Sequence, residues 1–398
     1  MPTPSKRAQG LQESPIRKLD LTVIAQKDVF FHKLNIGQPD VPTPEPLRQA
    51  ILDFDSRVVG YGPASGTPAC RDAAAAWFAR YSPGLERRHV AVTTGGSEAL
   101  LFAFTAVCDP GDEILVPEPF YTNYNGFATV AGARVVPIRT QLADGFALPS
   151  DTVLDSFVTP RTRAIVFSNP GNPTGAVYGR AELARLLAWA ARRDLFVVAD
   201  EVYRRIWFET PPVSALEFEA YRDHVICVDS LSKTWSACGA RIGFIASRNE
   251  DLMERVERLG QARLGTQPLA QSMAIAALAM PEDYYESIRQ IYVRRVVALV
   301  DALQAVPGVV CHRPAGAFYV MAGLPVRDAD HFARWLVTDF RYRGESVVVA
   351  PGGGFYADPA SGRSEIRLAA VVAEPQLVRG VELLAFALQQ FGEVSPNR

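Results

Sequence analysis

The chain has 398 residues, 48% of them hydrophobic and 21% charged, with a formal net charge of −2 and a pI near 6.3. That length accommodates two domains and a sizeable core. A near-neutral balance without single-sign runs argues against nucleic acid or an anionic membrane surface as partner. No apolar stretch reaches the ~18 residues of a spanning helix, and the opening MPTPSKRAQGLQESPIRKLD lacks the apolar core of a signal peptide. Cys70, Cys108, Cys227, Cys238 and Cys311 are scattered without CxxC spacing, the pattern of reduced thiols in a cytoplasmic protein, not of disulfides or a zinc site. The histidines are equally dispersed, so no metal is expected.

In chain order, the Pro-rich QPDVPTPEP (38–46) leads from an N-terminal arm into a large domain. VGYGPASGTP carries Tyr61 in a glycine-rich loop; a turn explains the glycines but not the tyrosine. TTGGSEALLFAF sets Gly95 and Gly96 at the start of a helix, with Ser97 as its expected N-cap. Free amides and the helix dipole make such a start a phosphate site, although a plain capped helix is the simpler reading.

Strands are expected at DEILV (112–116), RVVPI (134–138), RAIVFS (163–168), LFVVA (195–199), HVICV (224–228) and RIGFIA (241–246). These short apolar runs without alternation suit strands buried on both faces. Helical stretches such as SEALLFAFTAV, AELARLLAWAARR and 249–264 lie between them. This is an α/β layout, a mostly parallel mixed sheet flanked by helices. A long charged helix over 281–305 returns to a smaller α+β domain with strands GAFYVM, SVVVA and SEIRLA and helices near 329–340 and 374–391. The expected divisions are 1–45 (arm and part of the small domain), 46–300 (large domain) and 301–398 (small domain).

PFYTNYNGF offers Tyr121 as a ring to stack on a flat cofactor, core filling being the default explanation. SNPGNPTG (168–175) follows a strand and so sits where open α/β sheets gather ligands. Asn172 there can donate to a phenolate-type oxygen, though a turn explains the same composition. LFVVADEVY ends a strand in Asp200, with Tyr203 three residues on. A carboxylate at that depth needs a partner, and a protonated pyridine nitrogen would serve. The plainer readings are a helix N-cap for the aspartate and core packing for the tyrosine.

DSLSKTWSACGARIG (229–243) holds Lys233 in a Ser/Gly-rich loop between apolar runs, with Arg241 eight residues on. Desolvation and a nearby cation favour a neutral amine able to form a Schiff base. Ser230, Ser232 and Arg241 can all reach a phosphate, the arginine by a bidentate fork; alternatively Arg241 is a solvated residue opening the strand RIGFIA. In SEIRLA, alternation directs Ile366 and Leu368 to the core and Arg367 to the other face, as a clamp for a substrate carboxylate or as surface charge. Each plain reading is tenable alone. Together the groups are those that pyridoxal 5′-phosphate (PLP) requires: a lysine for its aldehyde, a carboxylate for its ring nitrogen, amides and an arginine for its phosphate.

From LNIGQPDVPTP through YGPASGT, TTGGSEALLFAF, DPGDEILVPEPFYTNYNGF, NPGNPTG, DEVY and SLSKTWSACGARIG to SEIRLA, the chain resembles the fold-type I PLP-dependent aminotransferases of class I/II, the aspartate aminotransferase superfamily. PEPFYTNYNGFA, SACGARIG and APGGGFY are similar to a bacterial branch known as aspartate aminotransferases. The resemblance implies the fold-type I PLP-transferase fold and ping-pong transamination of an L-amino acid, aspartate first, with a 2-oxo acid such as 2-oxoglutarate. It implies that Lys233 carries the cofactor and moves the substrate proton, that Asp200 holds the ring nitrogen, and that Asn172 and Tyr203 bond the phenolic oxygen. Tyr121 would stack on the ring. Gly96, Ser97, Ser230, Ser232 and Arg241 would bind the phosphate with Tyr61 from a neighbouring subunit, in a homodimer with shared sites. Arg367, Asn172 and the Gly37 amide would take the substrate carboxylate.

The chain departs from the family pattern at Thr234, where a basic residue is frequent, and in QARLGTQP. It also carries Ser97 where some aspartate-specific relatives have a lysine for the distal carboxylate; Arg263 is the remaining candidate for that charge. Two other readings stay open: a β-eliminating lyase or specialised secondary-metabolism enzyme with the same cofactor, and a non-catalytic regulator. The regulator is disfavoured, since about 35 residues precede LNIGQPD, too few for an attached DNA-binding domain.

Overall fold

The computed structural model describes residues 2–12, 14 and 18–394. A short strand, β1 (Phe30–Lys33), precedes the main sheet. The sheet comprises β2 (Val90–Thr93), β3 (Glu113–Glu118), β4 (Arg134–Arg139), β5 (Thr162–Ser168), β6 (Phe196–Asp200), β7 (Val225–Ser230) and β8 (Gly243–Ala246), in the order β2-β8-β7-β6-β5-β3-β4. The five strands from β7 to β4 run parallel, and β8 is antiparallel to both β7 and β2.

Successive side chains of these strands enter different cores. Ile114, Val116, Val198, Ile226 and Val228 pack with helices Gly95–Val107, Asn123–Ala131 and Glu250–Arg263. Leu115, Val197, Ala199, Val225 and Cys227 pack with Pro68–Ala79, Arg180–Ala191 and Pro268–Leu278. Both faces are therefore apolar, which explains unalternated runs such as EILV: each buried Val, Leu or Ile stabilises by about 1.5–3 kcal/mol.

A second body follows helix Glu282–Gln304. Its strands are β9 (Val310–Cys311), β10 (Tyr319–Gly323), β11 (Glu345–Val348), β12 (Ala350–Pro351) and β13 (Glu365–Ala369), with helices Ala329–Thr338 and Glu374–Val394. Strands β12-β13-β10-β9 form an antiparallel sheet, while β11 pairs in parallel with β1, Phe30 opposite Glu345. Leu34 from the N-terminal segment shares this body's core with Leu299, Phe332, Leu368 and Leu384.

Three expectations are corrected. The helix after β2 starts at Gly95, so Ser97 is its third residue and not its N-cap; Thr94 takes that place and its N–H is bonded by the Glu98 carboxylate at 2.7 Å. Arg241 does not open a strand: it lies in left-handed backbone (φ 52°), and β8 begins at Gly243. Strand β13 is not half-exposed, because it lies between β12 and β10 and its Arg367 is 1% exposed. Strand β2, absent from the expected set, is only four residues long and gives little periodic signal. Among the described residues no helix is long and apolar enough to cross a membrane.

Candidate active site

The carboxyl ends of β5, β6 and β7 face the start of helix Gly95–Val107 and the strands β10 and β13 around a cavity of about 660 Å³. Gly37, Gly96, Ser97, Tyr121, Asn172, Asp200, Tyr203, Ser230, Ser232, Lys233, Arg241 and Arg367 all line it, whereas Tyr61, Thr234 and Arg263 do not. Tyr61 is 89% exposed, beside the less exposed Val58 (78%) and Val59 (68%).

Asp200 closes β6, where no helix follows for it to cap. Its carboxylate accepts from the Tyr124 hydroxyl at 2.9 Å and from the Val202 N–H at 3.5 Å. Burial pushes the carboxyl up to about 6, against the lowering effect of those two bonds. Among the described residues it has no ion-pair partner, so a cation brought into the cavity would be strongly favoured beside it.

The two adjoining strand ends are fastened from behind. Arg204 donates at 2.8 Å to both Glu201 and Asp229, and Asp229 also accepts from the Trp77 indole at 3.0 Å. Asp229 in turn receives the Ser230 N–H at 2.7 Å. This buried cluster fixes the β6 terminus carrying Asp200 against the β7 terminus carrying Ser230.

At the helix start, a Cβ on Gly243 would stand 2.5 Å from the Gly96 nitrogen, so only glycine lets β8 pass this close. Arg241 lies at the rim, with its guanidinium on the carbonyls of Cys238 (3.2 Å) and Thr94 (3.4 Å). First-turn amides, a dipole and an adjacent arginine make this corner an anion site. Ser230 and Ser232 border it, Ser232 N–H donating to the Ser230 hydroxyl at 3.3 Å.

Lys233 Nζ donates to the Gly37 carbonyl at 2.9 Å. Arg367 donates to Asn172 Oδ1 at 3.0 Å and to the Asn35 carbonyl at 2.7 Å, while its Nε has no partner among the described residues. Its guanidinium lies 4.3 Å from the Tyr319 ring centre and 4.8 Å from that of Phe355. Burial lowers its pKa; a buried guanidinium bonded only to neutral groups strongly attracts a carboxylate. Half-buried Tyr121 accepts from Asn123 at 2.8 Å, and burial pushes its phenol up to about 12, with Tyr319 and Asp200 adding.

Sequence reasoning missed Tyr319, Tyr124, Gln38 and Asn123. Tyr124 carried a signal: it lies three residues after Tyr121, one helical turn on. Tyr319, in GAFYVM, read only as part of a strand. Arg263 is not available to the cavity: it pairs with the Glu98 carboxylate and donates to the Ala64 carbonyl at 3.0 Å. Thr234 is buried, its carbonyl taken by the Tyr284 hydroxyl at 2.9 Å.

An amine, a buried carboxylate, a buried guanidinium and an anion corner on one cavity suit an enzyme that handles amino acids with an anionic cofactor. Residues 31–382 match the model of the aminotransferase class I and II family. The chain belongs to that family and is an aminotransferase. It is 30% identical to the aspartate/prephenate aminotransferase of Thermus thermophilus, covering 96% of this chain and 98% of that one. It is likewise 30% identical to the aspartate aminotransferase of Streptomyces avermitilis, over 97% and 96% of the two chains. The structure of alanine aminotransferase from Pyrococcus furiosus superposes with a TM-score of 0.89 at 28% identity, covering 98% of this chain and 100% of that one.

Proposed function

We propose that the protein catalyses PLP-dependent, ping-pong transamination of an L-amino acid, aspartate first, with a 2-oxo acid such as 2-oxoglutarate, as a cytoplasmic homodimer. The observation that carries this reading is the pair of buried groups on one cavity, Asp200 and Arg367, neither with an ion-pair partner among the described residues. They complement a protonated ring nitrogen and a substrate carboxylate respectively. The free glycine-rich helix start and Arg241 complement a phosphate, so the residues fit PLP. Bound there, PLP supplies an aldehyde that exchanges amines and a ring that withdraws electrons.

In this reading Asp200 keeps the ring nitrogen protonated. Arg367 occupies Asn172 Oδ1, which leaves the Asn172 amide protons to donate to the phenolic oxygen together with the Tyr203 hydroxyl. Tyr121 covers the ring. Gly96, Ser97, Ser230, Ser232 and Arg241 hold the phosphate, joined by Tyr61 of the partner subunit; the exposed Val58, Val59 and Tyr61 support such an interface. Arg367, Asn172 and the Gly37 N–H grip the α-carboxylate. Lys233 Nζ would take the proton from substrate Cα and hold it beside the cofactor site. A core shared by the N-terminal segment, helix Glu282–Gln304 and the later strands, apart from the two sheet-face cores, supports a division near residues 45 and 300, with Val202, Tyr203 and Ile206 of the large domain packing into it. The unpaired cysteines support a reducing compartment.

Relatives named for aspartate/prephenate and for alanine leave the donor to experiment. Within one protomer a side-chain carboxylate would meet the uncharged donors Ser97, Asn123 and Gln38. The test is product analysis with aspartate, with and without 2-oxoglutarate. Oxaloacetate and glutamate turned over only with the acceptor support the reading; pyruvate, ammonia and sulfide released from cysteine, whose Cβ carries a leaving group, without any acceptor would establish a lyase instead.

A further inference from the structure

We propose that Tyr319 is a positioning residue that acts through Tyr203: its hydroxyl donates to the Tyr203 oxygen and thereby turns the Tyr203 proton into the cavity. This rests on the reading of Tyr203 as a donor to the cofactor's phenolic oxygen.

The two hydroxyls are 2.9 Å apart and both side chains are 2% exposed. Each hydroxyl has one proton, so one of them donates and the other accepts. Among the described residues, Tyr203 is the hydrogen-bond partner of the Tyr319 hydroxyl. If Tyr203 donated to Tyr319, the Tyr319 proton would be left without an acceptor among the described residues, an arrangement disfavoured by the desolvation of an unmet donor. If Tyr319 donates to Tyr203, every proton is used once an anionic oxygen occupies the cavity. The surroundings favour the same direction. The Arg367 guanidinium lies 4.3 Å over the Tyr319 ring, drawing electron density from the phenol and making it the better donor. Gly37 holds the hydroxyl in place from the other side, since a Cβ there would overlap it.

Hydrogen bonds in series strengthen one another. Tyr319 therefore reinforces the bond from Tyr203 to the phenolic oxygen and stabilises negative charge there. When that bond weakens, more charge remains beside the Lys233 nitrogen, which then holds its proton to higher pH. The phenylalanine variant removes only the hydroxyl and keeps the ring over Arg367, so substrate-carboxylate binding is preserved.

The experiment is a pH titration of the visible absorbance of the PLP-loaded protein, for wild type, Tyr319→Phe, Tyr203→Phe and the double variant. The expected result is an upward shift of the midpoint by about half a unit to one unit in Tyr319→Phe, on the scale of one neutral hydrogen bond. Tyr203→Phe shifts it further, and the double variant matches Tyr203→Phe, because Tyr319 then has nothing to act through. The donor KM of Tyr319→Phe stays within about twofold, whereas a general loosening of the site would raise it. An unmoved midpoint in Tyr319→Phe beside a moved one in Tyr203→Phe overturns the proposal and leaves the role of Tyr203 intact. A double variant shifted beyond Tyr203→Phe overturns it too, by showing that Tyr319 acts independently. An unmoved midpoint in Tyr203→Phe removes the underlying reading and the proposal together.

Discussion

Lys233 Nζ and the Gly37 carbonyl, 196 residues apart in the chain, are joined by a 2.9 Å hydrogen bond. The lysine belongs to the loop after β7, and Gly37 follows β1, which is paired with β11 of the second body. The amine proposed for catalysis is thus held by the segment proposed to cover the substrate.

Gly37 is held tightly enough to predict the effect of one methyl group. A Cβ there would overlap the Tyr319 hydroxyl, and overpacking of this kind costs about 1–3 kcal/mol. Gly37→Ala is expected to raise the donor KM roughly 5- to 100-fold while PLP uptake, followed by absorbance, stays near wild type.

Asp200 predicts a pH dependence in the cofactor-free protein. Its folded pKa is raised from the ordinary 3.8 to about 6, chiefly by burial. A raised value means that this group's contribution is fully present below the unfolded pKa and is lost as pH rises through the folded one. The loss is about 3 kcal/mol between roughly pH 4 and 6. Denaturant unfolding of wild type and Asp200→Asn, compared across that range, should show the difference between them changing by this order. Parallel curves would contradict the assignment.

Arg367 is bonded to Asn172 and to the Asn35 carbonyl and has no carboxylate partner among the described residues. Arg367→Ala is expected to lower kcat/KM for the donor by about 30-fold to several thousand-fold, the range for removing one partner of a buried charge pair. Arg367→Lys should recover only part of this, because an ammonium cannot fork onto a carboxylate. Steady-state kinetics over a range of donor concentrations checks both variants.

Arg263 is neutralised by Glu98. Arg263→Ala is expected to leave the kinetics with aspartate within about twofold of wild type. A large rise in KM for aspartate but not for alanine would mean that the arginine leaves Glu98 to meet the distal carboxylate.

Much of this site was legible because of how a parallel sheet is built. Strand ends gather ligands on one edge, so Asn172 after β5, Asp200 at the end of β6 and Lys233 after β7 could be placed together from three short segments. The double burial of the strands was equally visible in their unalternated runs. What stayed hidden depends on partners distant in sequence. Tyr203 and Tyr319 are 116 residues apart, and Arg263 and Glu98 are 165 apart; no local period encodes either pairing. The Arg204 cluster likewise joins three elements. Ser97 looked like a cap because serine favours that position, but the left-handed Gly95 (φ 79°) lets the helix begin three residues earlier.

The most direct test of the central claim is the visible absorbance of the PLP-loaded protein as amino acids are added, aspartate first, without any oxo acid. The account predicts that a donor bleaches the wild-type band within a single half-reaction. It also predicts that Lys233→Ala, with no amine to move the Cα proton, bleaches at least about 100-fold more slowly. Bleaching of Lys233→Ala at the wild-type rate would contradict it, as would a wild-type protein that takes up no PLP.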